Sequence, residues 1–136
     1  MTWYVSSEVV DWSKAFALTV GLEVPIVIAS YGRFRPAASA PARAVLAFFA
    51  QLASHPAVWF VFPRLGMSWL TMVVCAEVWA VLSETIFYAL TLGGVSALPS
   101  GLGSPAAWGR AFAISFLANA VSFISGLVVR ELTGWV

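Results

Sequence analysis

Four long apolar runs, at residues 15–31, 44–62, 69–92 and 111–129, dominate the 136-residue chain and decide the medium in which it can fold. Gly, Pro, Ser and Arg gather between them. Each run approaches the ~20 helical residues that cross a bilayer core, where backbone N–H and C=O groups must be satisfied inside their own structure. Helices meet that demand. Barrel strands would alternate polar and apolar residues, and these runs do not. With their flanks, the spans are expected over about 12–31, 43–62, 69–92 and 109–130. The expected fold is all-α: an integral membrane four-helix bundle, one domain over 1–136. Its short turns, above all the one at Pro63, Arg64 and Gly66, make sequential helices antiparallel neighbours.

Composition agrees with lipid as the solvent. Hydrophobic residues make up 61% and charged residues 10% of the chain, against about a quarter charged in an ordinary soluble domain. A soluble domain this short could not hide so much apolar surface. The seven Lys and Arg residues are scattered and the net charge is +1, so a nucleic-acid partner is not expected. The partner implied is the bilayer, with a homo-oligomer or a larger membrane complex as further possibilities for so small a chain. The single cysteine, Cys75, excludes an intramolecular disulfide and a thiolate metal cluster, and reads as a packing residue.

The first span is the least regular, since Glu23 and Pro25 interrupt it. Ser6 or Ser7 is a candidate N-cap with Glu8 in the first turn, and Trp3, Tyr4 and Trp12 suit the membrane interface. A cleaved signal peptide ending near the small residues 37–40 is not expected. No basic segment precedes the run, and Glu23 would fall within its apolar centre. The third loop, residues 93–109, is rich in Gly, Ser and Pro and is a candidate partner-contacting or mobile segment as well as a plain connector. Four spans place both termini on one side with Lys14, Arg64 and Arg130. Arg33, Arg35, Arg43 and Arg110 fall on the other, so the positive-inside rule puts the termini on the non-cytoplasmic side by a margin of one charge.

Polar residues within the spans carry the functional signal: Glu23 in the first, Gln51 and His55 in the second, Glu77 and Glu84 in the third, Asn119 in the fourth. A charge at the bilayer centre costs upward of about 2.5 kcal/mol, so such groups face a partner or a water-filled cavity. Counted from the runs' ends on the side of the termini, Glu23, His55, Glu77 and Asn119 lie roughly 10 to 15 Å deep at 1.5 Å per residue, which predicts one shared layer. Glu84 is seven residues past Glu77 on nearly the same face, and Tyr88 continues that face. Ser115, Asn119, Ser122 and Gly126 form a small polar stripe that serves equally as a packing seam. Pro25 and Pro56 remove backbone donors, freeing the carbonyls of Gly21 and Leu52. A bend or break is expected at each, Pro56 alternatively opening a new helical segment.

Three ionised glutamates in one bundle need compensation that His55 alone cannot supply, so the layer is expected to take up protons, hold a cation, or both. The candidate proton or cation ligands are Glu23, His55, Glu77, Glu84 and Asn119, supported by Gln51, Tyr88, Ser115 and Ser122. Glu23, His55 and Glu77 form a candidate divalent-metal set, and their donor types suit Zn, Mn or Fe alike. Length, four spans and a glutamate in the first helix, Glu23, are similar to the small multidrug resistance transporters. The glycine-rich third-helix pattern of that family is missing, and His55, Glu77 and Glu84 have no counterpart in it, so the resemblance implies no function here.

Three function classes follow. The leading one is a small transporter or channel-like protein for protons or cations, because transport needs titratable groups at intermediate depth. The second is a membrane-embedded enzyme or metal or cofactor site in which His55 and the glutamates do acid-base or ligand work. The third is a structural subunit whose Trp59, Trp69, Trp79 and phenylalanines meet lipid, pigment or protein. No Gly-x-Ser-x-Gly, phosphate loop or paired cysteines occur, which leaves enzyme status open.

Overall fold

A computed structural model describes residues 7–34, 38–92 and 104–134. Four helices account for almost all of them: α1 (Ser7–Phe34), α2 (Ala40–Phe60), α3 (Trp69–Thr91) and α4 (Pro105–Thr133), with a 3-10 turn over Phe62–Leu65 between α2 and α3. Each is long and apolar enough to cross a membrane, as in a multi-pass membrane protein. The interface roles expected of Trp3 and Tyr4, a cap at Ser6, the placement of Arg35 and the third loop over 93–103 lie outside the described residues.

Local chemistry sets the helix starts. Ser39, Ser68 and Ser104 each accept a backbone N–H three residues on, at 3.2 to 3.3 Å, and so satisfy one of the donors a helix leaves open. Pro41 and Pro105 stand in the first turn, where the missing N–H costs nothing. Neither interior proline breaks its helix, so of the bend or break expected at each the break is not found. Pro25 lies inside α1 and Pro56 inside α2, so Pro56 does not open a new segment. Gly21, Pro25 and Leu52 sit on exposed faces, where the rest of a long helix and its packed face keep the chain helical around one lost bond.

At the turn into α3, Gly66 adopts φ 68° and ψ 19°, a left-handed conformation that L side chains resist. A Cβ there would meet nothing within 4 Å, so the penalty of a side chain is purely conformational. Gly66→Ala is expected to lower stability by about 1 kcal/mol without altering the site. Thermal unfolding in detergent checks this, and an unchanged or raised midpoint would contradict it.

The helices contact one another in a ring, α1 to α2 to α3 to α4 and back to α1, and among the described residues the diagonal pairs make no close backbone approach. Such a ring leaves its axis to side chains. Along α3, Val74, Val78, Leu82, Ile86 and Leu90 recur every four residues on the outside, while Ala76, Ala80, Glu84, Tyr88 and Ala89 are buried. The pattern is the inverse of a soluble protein: large aliphatics face outward, and Glu23, Gln51, Ser54, Glu84, Ser115 and Asn119 lie inside. In lipid, small and polar residues are what bring helices together. Glu8 at the start of α1 pairs with Arg64 at 2.9 and 3.2 Å, which ties the N-terminal end to the turn after α2.

Candidate functional site

The bundle axis has two unlike halves. On the side of the termini, a cavity of about 370 Å³ is lined by all four helices. It runs from Pro63, Met72 and Arg130 near the helix ends down to Glu23, Gln51, Ser54, Glu84 and Asn119. Beyond that floor the axis is closed by packed side chains: Val27, Tyr31, Ala47, Ala50, Tyr88, Ala89, Leu92, Ala111 and Ile114.

Two carboxyl groups form the floor. Glu84 accepts from Asn119 Nδ2 at 2.7 Å and from Ser115 Oγ at 3.2 Å on Oε2, and from Ser54 Oγ at 3.1 Å on Oε1. Glu23 accepts from Gln51 on Oε2 and from Ser122 on Oε1. The two carboxyls lie within electrostatic range of each other. Every helix contributes, so the floor doubles as the knot of the bundle.

The serines are the informative members. Each has a second acceptor within reach: the Gln51 carbonyl for Ser54 at 3.4 Å, the Val81 carbonyl for Ser115 at 3.1 Å and the Asn119 carbonyl for Ser122 at 3.0 Å. A hydroxyl carries one proton and can accept as well as donate. When a carboxyl is ionised the serine proton points to it. When the carboxyl carries a proton, the serine turns to the backbone and accepts instead. Each carboxyl also keeps one amide donor, Gln51 or Asn119, for its other lone pairs. The floor therefore tolerates gain and loss of a proton without stranding a buried polar group, the condition that makes such networks costly when half satisfied.

The expected layer of Glu23, His55, Glu77 and Asn119 is only partly assembled. Glu84, not Glu77, is level with Glu23, because α1 begins at Ser7, two turns before the residue from which depth was counted. Glu23 lies 16 residues past Ser7, Glu84 15 past Trp69 and Asn119 14 before Thr133, whereas Glu77 is only 8 past Trp69. Glu77 sits higher on the cavity wall. Together with Asn119 and Phe123 it separates the cavity from an apolar groove of about 380 Å³ between α3 and α4, faced by Phe112 and Phe116.

His55 stands one turn above Gln51 on the same wall. Its Nε2 is 3.4 Å from Thr19 Oγ1, and its ring lies among Trp12, Phe16 and Trp59, with centroids 5.4 to 6.4 Å away. Its Nδ1 is buried without a protein partner. The structure does not bring Glu23, His55 and Glu77, the candidate divalent-metal set, together. Among the described residues no three His, Cys, Asp or Glu side chains are close enough to share an ion, since Glu23 is turned to Gln51 and Ser122 and His55 to its aromatic neighbours.

Gln51, Ser115 and Ser122 occupy supporting positions on the carboxyls, and Tyr88 lies just beyond them in the closed half. Pro25, Pro56 and the carbonyls they free are not on the cavity wall; neither Gly21 nor Leu52 lines it. Sequence reasoning missed Ser54, although Gln51, Ser54 and His55 follow the i, i+3, i+4 spacing of one helical face. It also missed Tyr31, eight residues past Glu23 on the buried stripe 23, 27, 31.

No family model matches the chain, and no curated protein or solved structure matches it. The likeness to small multidrug resistance transporters stays at hydropathy and Glu23.

Proposed function

We propose that the chain is a small membrane transporter or channel-like protein that moves protons or cations, with the Glu23 and Glu84 carboxyl pair as its exchange site. The observation that carries this reading is the set of three serines that can each turn between a carboxyl and a backbone carbonyl. A purely structural knot needs fixed partners, whereas an exchange site needs partners that serve both forms. The cavity supplies access from one side, and its size leaves room for a cation with some of its water, which two carboxylates would attract. A membrane-embedded metal enzyme is less well supported, because the candidate ligands are dispersed. The basic-residue count favours a cavity mouth on the non-cytoplasmic side, where Lys14, Arg64 and Arg130 lie.

The test is cation-linked proton release from purified protein in detergent, with Na+, K+, Mn2+ and tetramethylammonium each added alone. At least one is expected to bind and to displace protons, about one per chain for a monovalent cation and up to about two for Mn2+, as charge balance at a shared carboxyl pair requires. If none binds and none displaces protons, the structural reading replaces this one. Gly126 gives an independent check on the route. It lines the cavity, and a Cβ there would meet nothing within 4 Å. Gly126→Leu is therefore expected to fold, fill part of the cavity and weaken cation binding by about tenfold, the equivalent of about 1.4 kcal/mol. Unchanged affinity in a stable Gly126→Leu variant would exclude the cavity as the path.

A further inference from the structure

In the closed half of the bundle, Tyr31 of α1 and Tyr88 of α3 meet across the axis, their ring centroids 6.0 Å apart at an interplanar angle of 60°. They come from diagonal helices whose backbones do not approach, so the axis there is filled by side chains, with the two rings meeting at its centre. Around them stand Ala47, Ala50, Ala89 and Ala111, with Val27, Leu92 and Ile114. Tyr31 is 2% and Tyr88 0% exposed; the Tyr31 hydroxyl has no hydrogen-bond partner among the described residues, and the Tyr88 hydroxyl has no more than a loose approach to Gln51.

Buried hydroxyls so poorly partnered are costly, and phenylalanine would fill the same space without that cost. The hydroxyls are also placed in sequence. Side chains on a helix lean toward its N-terminus, which aims Tyr88 back toward Glu84, one turn away. Its hydroxyl neighbours Gln51 and lies within electrostatic range of Glu84 and Glu23. Tyr31 is in turn within range of Arg110, which belongs to the opposite end of the bundle. The barrier between floor and far end is thin: Glu84 is seven residues from the end of α3 at Thr91, roughly 10 Å.

We propose that Tyr31 and Tyr88 form a proton-selective gate, whose hydroxyls relay protons between the Glu23 and Glu84 floor and the Arg110 end while their rings exclude larger ions. The inference rests on the exchange-site reading and names what crosses the closed half. In one relay step the Glu84 carboxylic acid gives its proton to a bridging water, and that water protonates Tyr88 Oη as the hydroxyl's own proton leaves toward Tyr31. One O–H bond forms as another breaks, each tyrosine ends neutral, and rotation of the hydroxyl resets it. Tyr31 repeats the exchange toward the far side. A cation large enough to need a coordination shell finds ring faces, alanine methyls and the side chains of Val27, Leu92 and Ile114 there, none of them a ligand.

The experiment is proton flux into liposomes under a potassium-valinomycin potential, read with an entrapped pH dye, for the parent, Tyr88→Phe and Tyr31→Phe. Phenylalanine removes only the oxygen, so both variants keep the packing. Flux is expected to fall at least about tenfold in each, a modest loss beside the range that removing a proton-transfer group commonly brings. Cation-linked proton release at the carboxyl pair should remain within about twofold, a difference of about 0.4 kcal/mol. Parent-like flux in both variants overturns the gate, as does a parent protein that passes Na+ as readily as protons. A parent that binds cations but passes no protons also overturns it and leaves the exchange site standing. Loss of cation-linked proton release in the parent removes the underlying reading instead.

Discussion

Replacing both floor carboxyls, Glu23→Gln with Glu84→Gln, is expected to abolish cation-linked proton release while the bundle still assembles. The geometry explains why the fold survives. In Glu84→Gln the new carbonyl can accept from Asn119 and Ser115, and the new amide can donate to Ser54, whose proton turns to the Gln51 carbonyl 3.4 Å away. In Glu23→Gln the carbonyl accepts from Gln51, and the amide donates to Ser122, whose alternative acceptor is the Asn119 carbonyl at 3.0 Å. No donor is stranded. What disappears is the charge, and losing one partner of a buried charged contact costs about 2 kcal/mol or more, roughly 30-fold in affinity. Either single variant should lower affinity by about that factor, and the double variant should show no exchange at all. Because the two groups share a site, the pair should behave non-additively in a double-mutant cycle. Equal proton release in the double variant and the parent would mean that the exchangeable proton lies elsewhere, with Glu77 and His55 the remaining candidates. Glu84→Leu is the contrasting change. It leaves the Asn119 N–H that Glu84 accepted without that acceptor, while Ser54 and Ser115 fall back on the Gln51 and Val81 carbonyls, and it should lower the unfolding midpoint where Glu84→Gln does not.

The spans and the inward placement of Glu23, Glu84 and Asn119 could be read from sequence because lipid enforces both. An apolar run of about 20 residues has few other fates, and an ionisable side chain within it must find an interior. Relative depth was harder. Hydropathy marks where a run is apolar, not where its helix begins, and α1 carries a polar first stretch of Glu8, Asp11, Ser13 and Lys14 that is helical all the same. That offset of two turns exchanged Glu84 for Glu77. The His55 surroundings were beyond reach for a different reason. Trp12 and Phe16 come from another helix, and only the rotation of α1 against α2 decides whether aromatic or acidic residues meet an imidazole. The turning serines were hidden as well, since a small polar stripe has the same sequence whether it packs helices or feeds carboxyls. What separates the two is the second acceptor beside each hydroxyl, a property of three-dimensional placement alone.

Removing the ring at the centre of the closed half should turn a one-sided cavity into a through-path. Tyr88 is fully buried, meets Tyr31 across the axis and is flanked by alanines that cannot grow into the space it would vacate. In Tyr88→Ala the axis between the Glu84 floor and the far helix ends loses one of its two aromatic rings, and close-packed interiors relax only partly around such a loss. The floor above it is polar, so the gap joins a hydrated region and should fill with water instead of staying dry. Passive flux of Na+ and tetramethylammonium through liposomes is therefore expected to rise by an order of magnitude or more, roughly the effect of about 1.4 kcal/mol on the barrier. The change also costs stability, about 3 to 5 kcal/mol by analogy with aromatic truncations in soluble cores, so leak alone is not decisive. Leu92→Ala supplies the comparison. It removes a buried side chain from the same cluster without touching the Tyr31 and Tyr88 contact, and a leak that came from general loosening would appear there too. A large leak in Tyr88→Ala and none in Leu92→Ala identifies the tyrosine pair as the closure; equal leaks in both, or none in either, would place the barrier to ions elsewhere in the bundle.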